Sequence, residues 1–113
     1  MAASGIDILT LGLVATGTIA QYQPVQATGA PATAAGNAVG FARIGGSTGD
    51  RVPVTVQGTS IAIAGAAITA GSLVEVGSTV TQVVTKSAGV SIGRALTAAT
   101  QAGDQIEVLI LPN

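Results

Sequence analysis

Residues 35–56 read AGNAVGFARIGGSTGDRVPVTV, and residues 88–110 read AGVSIGRALTAATQAGDQIEVLI. The two stretches state one pattern twice. Val39-Gly40 answers Ile92-Gly93, Gly49-Asp50 answers Gly103-Asp104, and Val52, Val54 and Val56 answer Ile106, Val108 and Ile110. Each stretch ends with apolar residues at every second position, the period of a strand with one buried face. The likeness extends upstream. TLGLVATGTIAQYQPV, from Thr10, lies against TSIAIAGAAITAGSLV, from Thr59, with Ile19 on Ile68 and Val25 on Val74. Short insertions in loops account for the drift between the copies.

This doubling predicts an all-β chain, a small barrel or two packed antiparallel sheets built from two similar repeats of about 50 residues. A solenoid of such units needs three or more copies. Residues 1–113 are expected to form a single β domain, with an extended N-terminal arm at 1–8, repeat 1 at 9–57 and repeat 2 at 58–113. Turn spacing predicts about eight to ten short strands, roughly four per repeat. Gln57-Gly58-Thr59-Ser60 reads as a hairpin turn, and Gly77-Ser78 as another between Leu73–Val76 and Thr79–Val84. Gln105–Leu111 alternates as a half-buried strand, and Ile6–Leu11 as a weaker one. QATGAPATAAGN, from Gln26, reads as a loop. Clustered alanines leave a short helix open at Ala64–Ala70 or Thr97–Gln101, although Gly and β-branched residues dilute both.

Composition narrows the chemistry. The chain has 113 residues, no Cys and no His. Disulfides, thiolate metal ligands and the side chain that titrates nearest neutrality are therefore all missing. Charged residues make up 8% of the chain and hydrophobic ones 48%, with one Phe, one Tyr and no Trp. An ordinary soluble domain carries about 25% charge. A surface this poor in charge implies a coat of Thr, Ser and Gln together with cover from other chains. The longest apolar stretch, Ile61–Ile68, is far short of the ~20 residues of a spanning helix, so no membrane partner is expected. The N-terminus carries Asp7 and no early cation, which makes a poor secretory signal and predicts synthesis in a cytoplasm.

The motifs have plain readings. Gly45-Gly46-Ser47-Thr48-Gly49, between Arg43 and Arg51, could cradle an anion, but it lacks a P-loop lysine, and its counterpart TAATQAG has no glycine cluster. Asp50 and Asp104 could pair as catalytic or metal-binding carboxylates, yet a duplicated fold duplicates its turns, and a turn aspartate suffices. Gly40 and Gly93 read as bulges or close backbone approaches. Arg43, Arg51, Lys86 and Arg94 form no run and have no aromatic ladder, which argues against nucleic acid. Ser and Thr lack a base, and Ser87 cannot share a strand face with Lys86. No catalytic residue, cofactor or metal site is expected. Tyr22 and Phe41, the only aromatics, read more readily as core than as contacts; of the two, Tyr22, flanked by Gln21 and Gln23, is the better candidate for an interface anchor.

The order of these pieces resembles the capsid cement, or head decoration, proteins of tailed bacteriophages. The resemblance rests on Thr18–Val25 and its partner Ala67–Val74, on Val39-Gly40-Phe41-Ala42 and Ile92-Gly93-Arg94-Ala95, and on the closing Gly103-Asp104-Gln105-Ile106-Glu107-Val108. The first copy departs at Gln21-Tyr22, where the second has Ala70-Gly71. The resemblance implies a non-enzymatic protein on the outer capsid surface of the virion, binding the major capsid protein and itself, as a homotrimer. The candidate interface residues are Ile6, Ile8, Leu9, Leu11 and Tyr22. A phage tail, fibre or surface adhesion component is the alternative, since it would share the β-rich, charge-poor composition.

Overall fold

A computed structural model describes residues 5–112. It contains eight strands: β1 Asp7–Val14, β2 Pro24–Val25, β3 Gly40–Ala42, β4 Arg51–Ile63, β5 Leu73–Val76, β6 Val83–Thr85, β7 Gly93–Ala95 and β8 Gln105–Ile110. The fold is all-β, and neither alanine-rich segment is helical: Ile68 and Ala99 instead exchange a pair of backbone hydrogen bonds of 2.9 Å. All strand pairings are antiparallel, in the order β2-β3-β4-β8-β7-β5-β6, and the sheet curls into a nearly closed barrel. Its far end returns on itself where Val83 bridges to Ala64. β1 lies off this path and pairs with β4 alone.

The expected hairpin at 57–60 is not formed. β4 runs for 13 residues straight through it. Gly58 has a φ of 97°, as in a turn, but a β-bulge absorbs it: the pairing with β1 shifts register there instead of reversing the chain. A Cβ at Gly58 would overlap the Ile6 carbonyl, so glycine lets the two backbones meet. The first part of β4, up to Gly58, pairs with β1, and its Val54 and Thr55 also with β3, while Thr59–Ile63 pairs with β8. The turn expected at Gly77-Ser78 is wider. β6 begins only at Val83, and Gly77 N–H reaches Gln82 O at 2.9 Å.

Hydrogen bonds in the two halves take the same form. Ala15 N–H donates to Asp50 O and Ala64 N–H to Asp104 O, both at 2.8 Å. Gly49 N–H donates to Ala15 O, and Gly103 N–H to Ala64 O. Ile19 exchanges two bonds with Gly46, as Ile68 does with Ala99. Two cores sit under these nets. The smaller holds Ala15, Ile19, Val25, Ala42, Val52 and Val54. The larger holds their counterparts Ala64, Ile68, Val74, Ala95, Ile106 and Val108. It also takes Ala32, Ala38 and Phe41 from the first half, so the loop expected at 26–37 helps fill the second core.

Gly40 and Gly93 serve the close approach expected of them. A Cβ on Gly40 would strike the Thr55 carbonyl, and one on Gly93 the Val108 side chain. In both places the glycine strand lies against the last strand of its own half, which a larger residue would push away.

Candidate interaction surface

β1, with Ile6 just before it, carries apolar side chains that the fold leaves exposed. Ile6 is 65% exposed, Ile8 74%, Leu9 42%, Leu11 39% and Val14 47%. The reason is topological. β1 lies off the barrel path and pairs with β4 alone, so most of its apolar side chains stay partly exposed, and only Leu13 of this segment packs on a core. The alternation of Ile6–Leu11 is also broken, because register shifts at Asp7/Leu9 and Leu9/Thr10 re-aim the side chains.

The N-terminal end of β1 is tied down by polar contacts. Thr55 Oγ1 donates to Asp7 Oδ1 at 2.9 Å, and Arg43 Nε lies 3.1 Å from Asp7 Oδ2. Ile6 N–H donates to Thr59 Oγ1 at 2.8 Å, and that hydroxyl donates to Glu107 Oε2 at 2.7 Å. Thr59 N–H returns a bond to Ile6 O. Residues 6–8 of the expected arm are therefore held on β4 of their own chain. Residues 1–4 of that arm lie outside the described residues.

Tyr22 is half-buried and has a φ of 66°, in the left-handed region that favours glycine. Its turn is held by Tyr22 N–H to Ala42 O and by Gln21 Nε2 to Arg43 O. Tyr22 lines a surface groove of about 440 Å³ with Gly5, Asp7, Gln21, Arg43 and Ile44. The structure thus brings Tyr22 to the Asp7 end of β1. Ile44, 62% exposed, joins them there, and the sequence reading missed it. Its place after Arg43 in a β-like run looks no different from that of a core residue.

The remaining candidates are structural. Asp104 Oδ2 accepts Thr100 N–H, Thr100 Oγ1 and Gln101 N–H. The Thr100 bonds, backbone first, hold its carboxyl below the usual carboxylate range. Asp50 Oδ2 accepts Ser47 N–H in the matching turn. The glycine loop offers no anion cradle, because Gly46 and Gly49 give their N–H groups to Ile19 O and Ala15 O. Glu75, nearly buried, accepts Ser87 N–H and Gly89 N–H and so pins the loop before β7. Lys86 Nζ reaches only the Ser87 carbonyl, at 3.3 Å. Among the described residues no group of three or more acidic side chains could hold a metal ion.

The fold and this surface define a class: an all-β module with exposed apolar side chains along one strand. Comparison with known families makes the assignment specific. Residues 3–110 match the family of phage cement proteins, and the chain belongs to that family. It is accordingly a structural, non-catalytic protein of the virion. No curated protein matches it.

Proposed function

We propose that this chain binds the outer surface of a phage head and stabilises contacts between major capsid proteins, with Ile6, Ile8, Leu9, Leu11 and Tyr22 covered by neighbouring chains on the assembled shell. One observation carries the reading: four of the five large apolar side chains of β1, namely Ile8, Leu9, Leu11 and Val14, stay exposed on an otherwise well-filled fold. Scattered exposed hydrophobics are ordinary, whereas a contiguous strip marks an interaction site. Clamping needs buried area and no chemistry, and symmetry on a shell multiplies each small contact. Self-association belongs to the reading, and the family resemblance implies a homotrimer.

The proposal treats residues 9–57 and 58–113 as tandem copies within one domain. The matched hydrogen bonds and matched cores support this. It places the protein on the capsid exterior after synthesis in the host cytoplasm.

The test is co-sedimentation with expanded heads assembled from the major capsid protein of the phage that carries this chain. Saturable binding, weakened at least tenfold by Leu9→Lys, together with a higher disruption temperature of decorated heads, is expected. A chain that stays in the supernatant at every ratio overturns the reading.

A further inference from the structure

We infer that the groove between Asp7 and Tyr22 receives an extended segment of the major capsid protein, one that sets a carboxylate against Arg43 beside an apolar side chain on Ile44. The inference rests on the cementing reading and names the chemistry of the partner at that surface. Part of its test uses no shell, so its failure and a failure of head binding can be told apart.

Charge sets the ligand. The two sides of the Asp7–Arg43 ion pair are turned differently: the Asp7 side chain is 26% exposed and the Arg43 side chain 55%. Both Asp7 oxygens are engaged, Oδ1 by Thr55 Oγ1 and Oδ2 by Arg43 Nε. Arg43 uses only its Nε in that pair, and its two Nη groups meet no protein acceptor among the described residues. The groove thus shows solvent the free edge of a guanidinium, which suits a carboxylate through paired N–H donors. The backbone under it is fixed. Arg43 N–H donates to Pro53 O at 2.9 Å, and Arg43 O accepts Gln21 Nε2 at 3.1 Å. Ile44, 62% exposed, adds an apolar wall. At about 440 Å³ the groove lies near the small end of ligand clefts, about 300–1,000 Å³, and suits a short segment, not a folded surface.

The second half of the chain is an internal control. It repeats the same turn, with Gly71 N–H on Ala95 O and Leu96 N–H on Glu107 O, as Tyr22 N–H lies on Ala42 O and Arg43 N–H on Pro53 O. Ala70, Gly71, Leu96 and Thr97 stand there in place of Gln21, Tyr22, Arg43 and Ile44. The fold therefore closes this turn without an amide, an aromatic or a cation. The first half keeps all three at one groove, the aromatic at a strained φ of 66°. A second copy is a poor occupant, because each of the five acidic side chains already serves its own fold. Asp7 faces Thr55 and Arg43, Asp50 holds Ser47 N–H, and Glu75 holds the N–H groups of Ser87 and Gly89. Asp104 holds those of Thr100 and Gln101, and Glu107 accepts Thr59 Oγ1. The carboxylate has to come from another protein, and on the shell that is the major capsid protein.

The probes are acetyl-leucyl-glutamyl-leucine amide and its glutaminyl twin, followed through the amide resonances of Tyr22, Arg43 and Ile44. The glutamyl peptide should bind roughly threefold to fivefold more tightly. In about 1 M salt, where charges are screened within about 3 Å, that advantage should vanish. Arg43→Gln should abolish the preference, and Ile44→Ser should weaken both peptides alike. Asp7→Asn keeps an acceptor for Thr55 but removes the competing charge, so it should tighten both the glutamyl peptide and head binding. An ion pair that served only to hold β1 would give the opposite sign. In co-sedimentation Arg43→Gln should bind heads roughly threefold or more weakly. Arg94→Gln, whose native guanidinium serves Gly71 O in the matching turn, should bind them as the parent does. An equal response to the two peptides, weaker head binding by Asp7→Asn, or full head binding by Arg43→Gln overturns the inference. So does self-association that Arg43→Gln removes, which would make the occupant a second copy. A chain that prefers the glutamyl peptide yet ignores heads overturns the cementing reading alone.

Discussion

Tyr22 and Gly71 occupy the same turn in the two halves. The N–H of Tyr22 donates to Ala42 O at 2.7 Å, and the N–H of Gly71 to Ala95 O at 2.7 Å. Both backbones are left-handed, at φ 66° and 93°. Glycine takes that conformation freely, whereas a side chain there costs about 1–2 kcal/mol. The first half thus keeps an aromatic ring at a strained position beside Arg43 and Ile44, as a contact residue would require. Tyr22→Gly should keep stability within about 1 kcal/mol of the parent, since relief of strain offsets lost packing and chain entropy, yet weaken head binding. Gly71→Ala, whose Cβ would meet nothing within 4 Å, should lose about 1 kcal/mol through φ alone. Urea unfolding and co-sedimentation check both. Undiminished head binding by Tyr22→Gly would remove Tyr22 from the interface.

Gly40 and Gly93 test close approach in a setting where φ is not at issue. A Cβ on Gly40 would overlap the backbone carbonyl of Thr55, which cannot move without parting β3 from β4. On Gly93 the first obstacle is the Val108 side chain, with Leu109 O behind it. Gly40→Ala should destabilise by about 3 kcal/mol or more, at the upper end for overpacking. Gly93→Ala should cost less if Val108 can turn, and Val108→Ala should partly restore it. Equal losses in the two single variants would show that Val108 does not give way.

The legible parts of the fold are those where local pattern and tertiary role agree. β8 reads as a strand because Ile106 and Val108 alternate with polar neighbours, and those two are the residues it buries. Gln57-Gly58-Thr59-Ser60 misleads because its composition suits a turn. Pairing with Ile6 on one side and Leu109 on the other decides it as strand. Phe41 is equally opaque: its equivalent is the surface residue Arg94, so nothing in the repeat says that Phe41 crosses into the other core. The apolar character of Ile6–Leu11 is plain in sequence. Its exposure is not, since that depends on β1 having β4 as its sole neighbour.

Asp104 sets an acid limit. Its carboxylate accepts three hydrogen bonds at the turn before β8, which keeps its pKa below the ordinary 3.8. A depressed folded-state pKa adds stability that is complete above the unfolded value and is lost as pH falls through the folded one. Asp104→Ala should therefore be less stable than the parent at neutral pH. The gap should narrow as pH falls below 3.8, where the unfolded carboxylate takes up its proton first, and should level off once the native carboxylate is protonated too. Thermal melts of both proteins across that range measure it. A gap that stays constant through acid pH would assign the loss to turn geometry instead of charge.

Phe41 couples the halves. It arises from β3, which pairs with the first part of β4, yet its ring is fully buried in the core under β5, β7 and β8. Ala32 and Ala38 enter the same core from the preceding loop, and Ala35 bonds across to Val76 O and Val90 N–H. The second core is thus completed by the first repeat, and it should not survive alone. Phe41→Ala should cost about 3–5 kcal/mol, the range for an emptied aromatic site. That is a large share of the stability of a domain this size. Because β4 spans both halves, the loss should appear as a lower midpoint of one cooperative transition. Calorimetry with hydrogen exchange decides it: two resolved transitions, with Ile19 and Val54 protected after Ile68 and Val108 exchange, would show that the halves fold independently.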